Sequence, residues 1–303
     1  MTAAGASGGA LTILSTPKRF DGLFDVIQTN AITSWTRLEP RPEVILFGRD
    51  QGTAEICAEL GLRHVPEVRS TPEGTPLLSD MFLRGQALAS NDVVCWSNAD
   101  VVFTDSLLVA ARHVALRRSG RSLYVVGCRT DIDQTEPLDL SDGWQGRLAA
   151  SARADGERKP VNWIDWFMFP RGLFTDLPDF AIGRPGYDQW LIWRAADLGA
   201  EVVDASDFVT AVHQRHDYSH VGSRSVAFRG PEAQRNAAIV DDWRHYHSIA
   251  HARLRLERDG SLTKAHGLVY RLARPRRYAA HALRFTRPLR QRLLGERATW
   301  RRR

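Results

Sequence analysis

What most constrains this chain is an alternation of short apolar runs with helix-length amphipathic segments. Residues 11–15 (Leu-Thr-Ile-Leu-Ser) read as a first strand, ended by Thr16, Pro17 and Lys18. Residues 20–38 place Phe24, Ile27, Ala31 and Trp35 on one face at helical spacing, and Pro40 and Pro42 close that helix before a second strand at 44–47. A helix over 54–60 ends at Gly61 in the manner of a C-cap, and a third strand covers 64–68. Residues 70–76 are rich in Pro, Gly, Ser and Thr and read as a mobile loop. Ser79 or Asp80 then caps a helix to about Ala89, and an apolar strand follows at 93–96. Strands separated by helices in this way make a mostly parallel sheet covered on both faces, an α/β fold.

Such sheets bind ligands at the carboxyl ends of their strands. The central strand, Val93-Val94-Cys95-Trp96, stops at the polar Ser97-Asn98-Ala99-Asp100 before apolar Val101-Val102-Phe103 resumes, which puts Asp100 at the centre of the expected site. A carboxylate past a strand also serves as a turn former, and Asp105 as a helix cap.

The composition is globular, with 43% hydrophobic and 25% charged residues in 303. No run of about 18 apolar residues exists, so no membrane span is expected. Residues 1–10 lack the basic segment and apolar core of a secretory signal, which predicts a cytoplasmic protein. Cys57, Cys95 and Cys128 are far apart, odd in number and without metal-ligand spacing, and read as core thiols.

The net charge of +6 is unevenly placed. Residues 268–303 hold twelve arginines against the single acid Glu296, a net +11 that leaves residues 1–267 at −5. Leu283, Phe285, Leu289, Leu293, Leu294 and Trp300 recur there at roughly helical spacing, interrupted by Pro275 and Pro288. This favours an amphipathic, basic helical extension facing the body or, peripherally, an anionic membrane. Nucleic acid is not an expected partner, since no stacking or groove-reading motif accompanies the arginines. The division expected is residues 1–222 and a C-terminal extension, 223–303.

A dinucleotide-binding fingerprint fails, because the first strand leads into Ser15-Thr16-Pro17-Lys18 while Gly5, Gly8 and Gly9 precede it, and no P-loop is present. The order of elements instead resembles the nucleotide-sugar domain of GT-A glycosyltransferases, closest in plan to family 2. Asp50 after the second strand matches the acidic turn of those enzymes, Arg84-Gly85 matches their helix motif, and Asn98-Ala99-Asp100 matches their D-x-D. The first aspartate of that motif is Asn98 here, so only Asp100 offers a charged metal ligand from this turn. The resemblance covers about residues 10–220 and implies that Thr16, Asp50, Arg84, Asn98 and Asp100 contact the nucleotide sugar, with Asn98 on the ribose. It also implies a divalent ion, Mn2+ or Mg2+, bridging the diphosphate oxygens.

In the second half, 124–128 is a strand and 129–159 a polar lid or connecting excursion. Residues 162–171 make an aromatic strand with one acid, Asp165, which suits either a sugar platform or a core strand. Gly186 precedes a helix with Trp190 and Trp193 inward and Asp188 in its first turn, where a carboxylate is favoured by the helix dipole. By resemblance to inverting GT-A enzymes, Asp188 is the candidate base for the acceptor hydroxyl.

A late strand at 201–204 leads to His213, His216 and His220. The resemblance implies that His213 or His216 completes the metal site, and spacing does not choose between them. Arg224 and Arg229 could clamp phosphates, and His245, His247 and His251 read as a solvated face of a helical stretch over 231–256.

The expected function is therefore metal-dependent, inverting sugar transfer from a nucleotide diphosphate sugar to the hydroxyl of a glycan or other acceptor. If configuration is retained, Asp188 only orients substrate. The competing classes are a sugar-phosphate nucleotidyltransferase, for which Thr16-Pro17-Lys18 is a poor triphosphate loop, and a non-catalytic scaffold that binds membrane or partner through its tail.

Overall fold

The apolar runs of the first half form strands and the segments between them form helices. The structure, a computed structural model, describes residues 11–115, 120–217 and 223–265. In order come β1 (Leu11–Ser15), α1 (Leu23–Thr36), β2 (Glu43–Phe47), α2 (Thr53–Leu60), β3 (Arg63–Val65), α3 (Leu78–Leu88), β4 (Val93–Ser97), β5 (Val101–Phe103) and α4 (Ser106–Ala115). The second half adds β6 (Leu123–Val126), β7 (Thr130–Ile132), α5 (Trp144–Ala154), β8 (Glu157–Arg158), β9 (Trp166–Pro170), α6 (Tyr187–Asp197), β10 (Glu201–Asp204) and β11 (Ala211–Gln214). After these come α7 (Arg224–Arg229), α8 (Pro231–Val240), β12 (Leu254–Leu256) and β13 (Leu262–Lys264).

Among the described residues, nine strands form one sheet in the order β3-β2-β1-β4-β9-β6-β10-β12-β13. All its pairings are parallel except those of β9 with β4 and β6 and of β13 with β12. The central strands β1, β4, β6 and β9 are buried at every residue, as layers on both faces require, and so they read as apolar runs without alternation. One face packs Trp35 of α1 and Val114 of α4 against the sheet, the other Phe82 of α3 and Trp190 of α6. Burying each large apolar side chain contributes about 2 kcal/mol. Gly85 allows α3 to lie close on β1, because a Cβ there would collide with Leu14 Cδ1.

A smaller sheet, β5-β11-β7-β8, crosses the carboxyl edge of the large one. The expected polar excursion over 129–159 is thus built into this sheet through β7 and β8, with α5 between them. These strands are two or three residues long, too short to leave an apolar run.

Several further expectations are corrected. The 70–76 segment is a closed turn, with Thr71 N–H donating to Thr75 O (2.8 Å) and Gly74 N–H to Thr71 O (2.9 Å). Glu232 of α8 fastens it by accepting from Thr71 Oγ1 (2.6 Å) and Thr75 Oγ1 (2.8 Å). Neither Ser79 nor Asp80 caps α3, whose N-cap is Leu77 without a side-chain cap. Ser79 bonds Asp179, and Asp80 accepts from Arg69 N–H at 3.0 Å.

The boundary at 222/223 divides one body. β12 pairs with β10 and extends the large sheet, and Asn236 of α8 accepts from Ala181 N–H at 2.9 Å. Residues 223–265 are therefore part of the α/β unit, and the stretch 231–256 is helical only to Val240 before two 3-10 turns and a strand. Cys57, Cys95 and Cys128 are buried and outside any disulfide. Among the described residues no helix is long and apolar enough to cross a membrane. The basic tail with its expected amphipathic helix, the N-terminal glycines and His220 lie outside the described residues.

Candidate functional site

The register of the small sheet assembles the site. β4 ends at Ser97, Asn98 N–H donates to Asp165 O (2.9 Å), and the turn delivers Asp100 at the head of β5. β11 runs antiparallel to β5 with His213 opposite Val101, and parallel to β7 with His213 opposite Asp131. His213 is thereby set between Asp100 and Asp131, two acids separated in sequence. Gln214 beside it donates to Ile27 O (2.7 Å) and Asp100 O (3.2 Å) and accepts from Asn30 (2.9 Å), locking β11 to α1.

Asp100, His213 and His216 each offer a ligand atom, and these atoms lie within 4.8 Å of one another. His216 Nε2 is 3.1 Å from Asp100 Oδ2, and His213 Nε2 is 3.8 Å from Oδ1. His216 Nδ1 is 2.6 Å from the Asp217 carbonyl and donates to it, while Nε2 lies within hydrogen-bond reach of Asp100 Oδ2. His213 Nδ1 lies 3.3 Å from the Asp131 carboxylate, an electrostatic contact more than a formed hydrogen bond, and its Nε2 faces Asp100.

Two imidazole nitrogens thus converge on a carboxylate that is 4% exposed, whose Oδ1 has no hydrogen-bond partner. Nitrogen and carboxylate donors at this spacing can hold a metal ion. Lys18 approaches from the open side, with Nζ 3.5 Å from Oδ2. Burial would raise the Asp100 carboxyl, but Lys18, His213 and His216 together hold it well below the usual carboxylate range.

Behind His213 stands a chain of buried charges. Burial raises the Asp131 carboxyl, yet the contact with His213 and the Arg129 guanidinium bring it down to about 2. Arg129 Nε is 2.8 Å from Asp131, and its other arm pairs with Asp165. Asp165 also accepts from the Asn98 amide at 2.8 Å. Arg129 and Lys159 flank Trp163 at 5.0 and 5.2 Å from its ring centre.

Thr16 and Asp50 meet at Gly48, a glycine with φ 104° at the end of β2. A Cβ on it would lie 3.4 Å from Thr16 Oγ1 and 3.9 Å from Asp50 Oδ2. Thr16 Oγ1 donates to Phe47 O (2.9 Å), and Asp50 is exposed at the carboxyl edge. Asp188 is half-buried in the first turn of α6, after Gly186 (φ 110°). Burial and then the Asp188 carboxylate push the buried Tyr124 and Tyr187 hydroxyls well above their ordinary value, and Asp165 and Asp100 add to this at Tyr187.

The structure brings Asp100, His213 and His216 together and gives other candidates different surroundings. Arg84 turns away from the site, to Asp80 (3.1 Å) and the Glu67 carbonyl. Both oxygens of Asp165 are taken by Arg129 and Asn98. Trp166, Phe167 and Phe169 are core residues, which rules them out as an open sugar platform. Arg229 is exposed at the end of α7.

His245, His247 and His251 are half-buried rather than solvated. His245 packs on Trp193 at 3.8 Å and His247 stacks on His251 at 4.1 Å. Sequence reasoning passed over Lys18, Arg129, Asp131 and Tyr187. Only Lys18 carried a signal, as a cation at the carboxyl end of the first strand.

Neither a protein-family model nor a curated protein matches the chain. In fold it is similar to glucosyl-3-phosphoglycerate synthase from Mycobacterium tuberculosis, solved with Mn2+, UDP and glucosyl-3-phosphoglycerate. That likeness has 16% identity over 78% of this chain and 80% of that one, with a TM-score of 0.42. It is similar also to S. aureus TarS 1-349 with UDP-GlcNAc (11% identity, 70% and 60% covered, TM-score 0.47). A third is mannosyltransferase PcManGT from Pyrobaculum calidifontis with GDP-Man and Mn2+ (14%, 71% and 59%, TM-score 0.43). Likenesses this distant carry no residue role across, and the chemistry has to come from this chain's own side chains.

Proposed function

We propose that this chain is a GT-A type glycosyltransferase that moves a sugar from a nucleoside diphosphate donor to an acceptor hydroxyl, using a divalent ion held by Asp100, His213 and His216. The observation that carries the reading is the convergence of a ligand atom from each of Asp100, His213 and His216 within 4.8 Å, with one oxygen of the buried carboxylate lacking a hydrogen-bond partner. Oxygen and nitrogen donors of this kind suit Mn2+ or Mg2+. When bound, the ion neutralises charge that develops on the departing diphosphate.

The residues divide the remaining work. Thr16 and the exposed Asp50 around Gly48 receive the nucleoside, since the glycine leaves room for a ligand to approach the backbone. The Asn98–Asp165–Arg129–Asp131 chain holds His213 in register. Asp188 accepts the proton of the acceptor hydroxyl, an inverting role, with Tyr124 and Tyr187 beside it kept protonated and able to donate.

The test is release of nucleoside diphosphate from UDP-, GDP- and dTDP-linked sugars, with water as the acceptor. Release is expected with one donor family in Mn2+, to stop on chelation, and to fall about 10²–10⁴-fold in Asp188→Asn while nucleotide binding persists. Release that ignores chelation would remove the metal from the account, and unchanged turnover in Asp188→Asn would remove the base.

A further inference from the structure

Lys18 has a place that is built by the fold. The buried Gln28 of α1 accepts from its N–H (2.6 Å) and donates to its carbonyl (2.9 Å), fixing the backbone on both sides. The ammonium stands 4.9 Å from the centre of the Phe24 ring, which in turn packs on His216 at 5.0 Å. It ends 3.5 Å from Asp100 Oδ2 with a third of its side chain still exposed, while the buried Asp100 Oδ1 lacks a hydrogen-bond partner. An ammonium and a divalent ion repel one another across a single carboxylate, so both cannot keep their closest contact with Asp100. An anion entering from the open side meets Lys18 first.

We propose that Lys18 is the diphosphate-binding cation of this site. It pairs with Asp100 until a divalent ion takes that carboxylate, and then turns to a phosphate oxygen of the nucleoside diphosphate. The proposal rests on the reading of the site as a nucleotide-sugar centre. Its consequence is opposed effects of one side chain: Lys18 weakens binding of the metal alone and strengthens binding of the diphosphate with metal. A nucleoside without phosphates gains nothing from it.

The experiment compares the native chain, Lys18→Met and Lys18→Arg. Mn2+ binding alone is followed by the electron paramagnetic resonance of the free ion. Calorimetry with UDP, GDP and dTDP in Mn2+ follows, with the matching nucleosides as controls. Lys18→Met is expected to bind Mn2+ alone about threefold more tightly or better, since a competing cation is gone. Its affinity for the diphosphate falls about tenfold or more, with nucleoside binding unchanged and Lys18→Arg close to native.

If the native chain binds a diphosphate and Lys18→Met binds it equally well, the role of Lys18 is overturned and the nucleotide reading stands. If the native chain binds none of the three in Mn2+, both fall. The arginine variant and the melting curves of all three proteins separate loss of charge from loss of fold.

Discussion

At the scale of single residues, the site rests on contacts between acids and imidazoles that sequence distance hides. Asp100 and the histidine cluster stood out as residue types, an acid at a strand end and histidines after the last strand, but spacing did not choose between His213 and His216, and the structure brings both to Asp100. Asp131 was not, since its place opposite His213 is a property of strand pairing between β7 and β11, which no local pattern encodes. Its carboxylate orients His213, and removing such an orienting partner costs metal sites about 10–100-fold in affinity. Asp131→Asn is therefore expected to weaken Mn2+ binding by that order without abolishing it, while Asp100→Ala abolishes it. Titration calorimetry distinguishes the two, and an unchanged affinity in Asp131→Asn would show that His213 needs no orienting.

At the scale of elements, the strands of the first half were readable from their apolar runs, but the ties between elements were not. The 70–76 turn looked mobile because its composition is that of a loop, yet Glu232, far along the chain, holds it. Glu232 also pairs with Arg184 at 2.7 Å, both side chains being largely buried. Burial raises the Glu232 carboxyl, but Thr71, Thr75 and Arg184 outweigh this and lower it below its ordinary value. A lowered folded-state pKa gives stability that is present above the unfolded carboxylate pKa and is lost as pH falls through the folded one. Glu232→Gln leaves Arg184 buried without its counter-charge and is expected to cost about 3 kcal/mol at pH 7. The difference from the native chain should shrink below about pH 4, where the unfolded carboxylate takes up its proton. Urea melts at pH 7 and pH 3.5 check this, and an equal cost at both would place the effect in packing rather than charge.

At the scale of the whole molecule, the α/β class was legible and the domain boundary was not. The basic tail drew the expected boundary to 223, but Leu254 and Leu256 are buried in β12 beside β10, and Ile249 and Val240 close over the same edge. Burial of four such side chains amounts to about 8 kcal/mol, comparable with the whole stability of a domain. A chain ended at residue 222 is expected to lose cooperative melting by circular dichroism, whereas a chain ended at 265 should keep it. The central claim concerns the site that this fold holds at its carboxyl edge. A thermal-shift screen of UDP-, GDP- and dTDP-linked sugars with and without Mn2+, on the native chain and on Asp100→Ala, tests it most directly. A donor at a hundred times its Kd stabilises by about 2.7 kcal/mol, or roughly 4 °C in a chain of 303 residues. The account predicts that shift for one nucleotide, only with Mn2+ and only with Asp100 in place; a folded native chain that shifts with none of them would contradict it.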